Sequence, residues 1–78
     1  MHTLADIAAG QTATVLEISG DDSIAIRLME MGITDGEEIK LIGRAPLGDP
    51  LEILVRGYRL SLRKVEAQRV HVEIPQSP

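Results

Sequence analysis

Leu51-Glu52-Ile53-Leu54-Val55-Arg56-Gly57-Tyr58-Arg59-Leu60-Ser61-Leu62-Arg63 is the stretch that decides the fold. Leu51, Ile53 and Val55 alternate with Glu52, Leu54 and Arg56. Beyond Gly57, the residues Tyr58, Leu60 and Leu62 alternate with Arg59, Ser61 and Arg63. Successive side chains of a strand point to opposite faces, so a period of two on both sides of a turn signals two half-buried strands. Arg56-Gly57 stands where a two-residue turn needs left-handed backbone, which glycine adopts at no steric cost. The stretch therefore predicts a β-hairpin.

The same period recurs on either side. Ile39 and Leu41 alternate with Glu38 and Lys40. Near the C-terminus Val70, Val72 and Ile74 are expected inward, against His71 and Glu73 outward. Thr12-Ala13-Thr14-Val15-Leu16-Glu17-Ile18 is rich in β-branched residues and stops at Ser19-Gly20, giving a first long strand with Leu16 and Ile18 expected to face the core. Between these strands Ile24, Leu28 and Met31 recur at helical spacing, with Arg27 and Glu30 off the stripe. Asp21, Asp22 and Ser23 can cap that helix and Gly32 can end it. Thr3 to Gln11 reads as a short lead-in, with His2 in a mobile terminus. Arg63 to Gln68 reads as a helical turn, and residues 75–78 as a frayed tail.

Five short strands with one helix inserted after the first long one cannot hide an apolar face while flat, so the expected fold is mainly β, a small five-stranded SH3-like barrel. With 78 residues the chain is a single domain, residues 1–78. Its 44% hydrophobic content is aliphatic, with one aromatic side chain, Tyr58, and it supports a folded core over disorder. The absence of cysteine excludes a disulfide framework, a thiolate zinc site and a cysteine nucleophile, and it fits a reducing cytoplasm. Without a leader-like start or an 18-residue apolar run, no direct membrane insertion is expected. A net charge of −4 and a single aromatic argue against nucleic acid as a partner.

Ala45-Pro46-Leu47-Gly48-Asp49-Pro50 is a stiff loop between two strands. Its prolines fix φ, Gly48 supplies an unusual conformer, and Asp49 is expected to bond its own backbone. Leu47 at its tip is apolar without an evident reason unless it folds back or is covered by a partner. Arg27, Arg44, Arg56, Arg59 and Arg63 can grip a carboxylate or phosphate through planar donor forks, although their positions also suit solvated outer strand faces. Metal chemistry has little to work with: His71 and Glu73 share a strand face two residues apart and are the candidate metal ligands. Met31 reads as core, with Met29 undecided between core and contact. No nucleophile–base set, P-loop, GxGxxG or HExxH occurs, so an enzyme is not expected.

Arg27-Leu28-Met29-Glu30-Met31-Gly32-Ile33-Thr34-Asp35-Gly36-Glu37-Glu38-Ile39, then Ala45 to Pro50, then Leu60-Ser61-Leu62-Arg63-Lys64-Val65-Glu66-Ala67, together resemble the FeoA family, the small ferrous iron transport protein A. The likeness covers essentially the whole chain, and the order and spacing of its parts make it specific. Asp35 stands where the family often has proline. The resemblance implies an SH3-like barrel in the bacterial cytoplasm, peripheral to the inner membrane through its partner. That partner would be FeoB, the ferrous iron transporter with a cytosolic GTP-binding region. The same barrel also serves iron-dependent repressors, but this chain has no DNA-reading helix pair.

The leading functional expectation is thus a binding module that regulates ferrous iron uptake. Its candidate contact residues are Arg27, Leu28, Met29, Arg44, Leu47, Gly48, Asp49 and Arg63. Arg44 and Arg63 are also the first candidates for an arginine supplied to the partner's GTPase. The alternative is a sensor or carrier of Fe(II) or another divalent transition metal at His71 and Glu73, no cofactor being required by the first reading. Exposed strand edges leave a homo-oligomer open.

Overall fold

The computed structural model describes residues 2–75 of the chain. All strands lie in one antiparallel sheet, in the order β1 (His2–Thr3), β6 (Val70–Glu73), β2 (Thr12–Ile18), β3 (Glu38–Arg44), β4 (Leu51–Val55), β5 (Tyr58–Leu62). A 3-10 turn follows β1 at Leu4–Asp6. Helix α1 (Ser23–Glu30) follows β2, and the single-turn helix α2 (Lys64–Ala67) follows β5. The mainly β class, the placement of α1 and the helical turn after β5 agree with the sequence reading. The strand number does not: among the described residues six strands replace the expected five.

The additional strand is β1, where His2 pairs with Val72 and Thr3 with His71. His2 is therefore part of the sheet rather than of a mobile terminus. Periodicity cannot reveal a two-residue strand; what holds this one is the turn behind it. Asp6 Oδ2 accepts the Thr3 N–H at 2.8 Å and the Thr3 hydroxyl at 3.2 Å. That turn delivers Leu4 and Ile7 into the core, where both are fully buried. The two end strands of the sheet, β1 and β5, do not pair with each other, so hydrogen bonds do not close a barrel. Helix α2 packs against the 3-10 turn at the β1 end instead. The expectation of a frayed tail concerns, beyond Pro75, residues outside those described.

The core is aliphatic. Ala13, Val15, Ile39, Leu41, Leu51, Ile53, Val55, Leu62, Val70 and Val72 supply its sheet side, joined by Leu28, Ile33 and Ala67. Each large side chain sealed there contributes about 1.5–3 kcal/mol relative to exposure. The β4–β5 hairpin has the expected register, Leu51↔Leu62 to Val55↔Tyr58. Its turn places Arg56 at φ +53° and Gly57 at +83°, the paired left-handed geometry of a type I′ connection.

Two inward assignments fail for identifiable reasons. Leu16 is exposed because Val15 before it faces the core and side chains alternate; the β2–β6 register shifts between Val15 and Glu17, and the extra residue changes the phase so that Ile18 alone of that pair packs on the core. In α1 the sealed residues are Ala25 and Leu28, whereas Ile24 is solvent-accessible. The helix is rotated so that Ala25, its smallest apolar residue, is sealed in place of Ile24, which a stripe read from bulky side chains misses.

Candidate functional site

Helix α1 begins at Asp22, whose carboxylate accepts the Ala25 N–H at 3.3 Å. That carboxylate also receives both arms of Arg69, at 2.7 and 2.9 Å. The Arg69 hydrogen bonds hold the Asp22 carboxyl at about 2, below its ordinary 3.8, with the Ala25 N–H helping and partial desolvation opposing. Arg69 is correspondingly raised by the same bond. Gly20, at φ +89°, lies against this guanidinium: a Cβ there would meet Nη2 at 2.9 Å. The pair fixes α1 to the chain entering β6, with the Ser19 N–H donating to the Arg69 carbonyl at 2.8 Å. Sequence reading found the cap but not its partner, which lies 47 residues away.

The other end of α1 faces α2. Glu66 is almost fully buried, and its Oε1 accepts the Arg63 N–H at 2.8 Å while Oε2 pairs with Arg27. A buried carboxylate is costly unless its lone pairs are used, and here both oxygens are engaged. Asp49 does not bond its own backbone as expected. Its Oδ1 accepts the Lys64 N–H at 3.0 Å, so the 45–50 loop is fastened to the first turn of α2. The loop contains a cis Asp49–Pro50 bond, and the Gly48 N–H donates to the Ala45 carbonyl at 2.7 Å.

These fastenings frame an open concavity of about 670 Å³. Arg27 and Met31 come from α1, Asp49 and Pro50 from the loop, and Ser61 and Arg63 from β5 and the residue after it. Three of the sequence-derived contact candidates, Arg27, Asp49 and Arg63, thus converge on one site. Leu47 stands beside it at the loop tip, 97% exposed. Glu66, Met31 and Ser61 are the members that sequence reading missed. Glu66 carried a signal, being the one acid in a helical turn between apolar neighbours.

The remaining candidates fall elsewhere. Leu28 is sealed in the core and cannot touch a partner. Met29 is exposed but lines a second concavity with Leu16 and Ile33, on another side of α1. Arg44 is a structural strut: its Nη2 donates to the carbonyls of Ala5 at 2.9 Å and Ile7 at 2.6 Å. Gly48, at φ +86°, shapes the loop. His71 and Glu73 lie on β6, opposite Glu17 and Thr14 of β2. The His71 Nδ1 is buried without a hydrogen-bond partner, and no group of three potential metal donors forms among the described residues.

Comparison with known proteins identifies a family. The family model of the FeoA domain matches residues 2–74. A curated relative from Porphyromonas gingivalis, an Fe(2+) transport protein A/Fe(2+) transporter FeoB fusion protein, is 31% identical over 71 residues. That alignment covers 91% of this chain but only 8% of the fusion protein. Among solved structures, a FeoA-like protein from Clostridium acetobutylicum superposes with a TM-score of 0.90 at 37% identity, covering 97% of this chain and 88% of that one. The zinc complex of Stenotrophomonas maltophilia FeoA, described as a prokaryotic SH3 domain protein, gives 0.83 at 35% identity over 94% and 91% of the two chains.

Proposed function

The chain belongs to the FeoA domain family, and from that premise we propose that it is an accessory protein of ferrous iron uptake. In this reading it docks on the cytosolic GTP-binding region of a FeoB-type transporter through the face built by Arg27, Asp49 and Arg63. The observation that carries the proposal is their convergence. Residues from α1, the 45–50 loop and the end of β5 line one concavity, held in place by buried Glu66 and by the Asp49–Lys64 bond. Leu47 supplies an apolar anchor beside the charged groups, the mixture that docking surfaces favour.

The Porphyromonas protein supports the choice of partner, because joining two proteins in one chain keeps them at a high effective concentration. No helix among the described residues is long and apolar enough to cross a membrane. The proposed site of action is the bacterial cytoplasm, reaching the inner membrane through the transporter, and the role is binding rather than catalysis.

The test is a titration of the isotope-labelled chain with the transporter's cytosolic region, first with GDP and then with a non-hydrolysable GTP analogue. Amide shifts at Arg27, Leu47 to Asp49 and Arg63 are expected in at least one nucleotide state. Unchanged association and unchanged iron uptake after Leu47→Glu and Arg63→Glu would refute the surface.

A second reading, binding of Fe(II) or another divalent ion at His71 and Glu73, draws support from the zinc complex of the Stenotrophomonas protein. In this chain the buried Nδ1 leaves only Nε2 of His71 as a donor, with Glu73 two residues on. Zinc titration without a response at His71 would end that reading.

A further inference from the structure

β5 forms one end of the sheet, so only its inner edge is paired. Its register fixes which main-chain groups face outward. Val55 and Tyr58 flank a two-residue turn and exchange hydrogen bonds, and alternation makes Ile53–Leu60 and Leu51–Leu62 the other bonded pairs. The N–H and C=O groups of Arg59 and Ser61 therefore point away from β4. No hydrogen bond from another segment reaches them among the described residues. Both residues are exposed.

Charge is distributed as unevenly as pairing. Residues 53–65 hold Arg56, Arg59, Arg63 and Lys64 and no acid. All twelve acids and the other four bases lie outside, so this segment is +4 while the rest of the chain is −8, against a net charge of −4. Arg59 and Arg56 have only loose partners, Glu52 at 3.9 Å and Glu37 at 3.8 Å. Arg63 is the one arginine among the described residues whose guanidinium makes neither an ion pair nor a hydrogen bond. It stands where the open edge runs into the concavity beside Arg27 and Ser61.

An unpaired edge is a template for another strand, and like charges placed opposite each other repel. Pairing β5 with β5 of a second copy would set one +4 segment against another. We propose that β5 is an acceptor for an extended acidic segment of a partner protein. The segment adds as a further strand, bonding the main chain of Arg59 and Ser61, and places a carboxylate on Arg63 at the mouth of the concavity. Main-chain bonds supply the affinity of such an addition, and side chains at alternate positions supply the selection. The inference deepens the docking reading and rests on it for the choice of face.

The probe is a fluorescent octapeptide, capped at both ends, in which glutamate alternates with threonine or valine. It is compared with two isomers N-methylated at odd or at even positions and with a single-stranded oligonucleotide. Binding is expected to shift the Arg59 and Ser61 amides and slow their hydrogen exchange. One N-methyl isomer should lose about tenfold in affinity, as the loss of two or three main-chain bonds implies, while the other retains it. Arg63→Gln should weaken the peptide about fivefold or more, in line with a lost charge-assisted bond. Equal binding of both isomers, or of the oligonucleotide, would reduce the edge to a charged surface and overturn the proposal. So would self-association of the chain alone that protects the same amides, which would assign the edge to a second copy. A transporter region that binds without disturbing β5 would overturn this inference and leave the docking reading intact. Peptide binding to β5 with no response to the transporter region would do the reverse.

Discussion

The two ends of the sheet solve the same problem in opposite ways. At one end β1 is only two residues long and is backed by the 3-10 turn, whose Leu4 and Ile7 are sealed in the core. At the other, β5 is five residues long, its outer main-chain groups are open, and its flanks carry the chain's densest positive charge. Brevity and packing protect the first edge; charge protects the second. Burial cannot be undone without unfolding, whereas charge repels selectively and admits a partner of the opposite sign. The difference separates an edge built for stability from one left available.

Leu4→Ala attacks the first edge where it is anchored and should have the largest effect. Removing a fully buried leucine costs about 2–5 kcal/mol, measured as a fall in the urea midpoint. It should also speed hydrogen exchange in β6, whose outer side β1 covers. A loss below about 1 kcal/mol would mean that β1 and its turn are not what secures this end.

Asp22→Asn tests the ion pair that fastens α1 near the same end, and its effect should be smaller and dependent on pH. Because the folded Asp22 carboxyl lies near 2 and its ordinary value is 3.8, its contribution is complete above about pH 4. It fades as the pH falls through the folded value. Wild type and variant should therefore differ in melting temperature at pH 6 and converge toward pH 2, and a difference that persists unchanged at pH 2 would contradict the assignment.

Arg59→Gln should have the smallest effect. The side chain is largely exposed and its contact with Glu52 is 3.9 Å, so stability should change by no more than about 0.5 kcal/mol. A substantial loss would show that the positive edge holds the fold together, and the contrast between the two edges would collapse.

The legibility of the sequence follows the same division. The β4–β5 hairpin could be read because its alternation, its turn and its register are all local. β1 could not, since its evidence lies in residues 71 and 72. Leu16 and Ile18 do not share a face because a bulge, a property of two paired strands, breaks the alternation between them, and Ile24 misleads because Ala25 carries little weight in a hydrophobic stripe. The site was half legible. Composition and loop chemistry point to Arg27, Asp49 and Arg63, which line one concavity, whereas Leu28, a candidate beside them, is core. Arg44 was grouped with them although its guanidinium holds the Ala5 and Ile7 carbonyls. The links that fasten the site, Asp22–Arg69 across 47 positions and Asp49–Lys64 across 15, join residues whose neighbours in sequence give no sign of them.

The pairing of His2 with Val72 also orders events in time. A ribosome delivers β1 before β6, so β1 waits for every intervening strand before it has anything to pair with. Until then Leu4 and Ile7 lack their final seat, and the β6 side of the sheet does not exist. The β4–β5 hairpin needs only its own residues and can form earlier, since nearby contacts close faster than distant ones. The open edge belongs to the part of the molecule that can be assembled early, and the edge sealed by packing is completed only once β6 has followed.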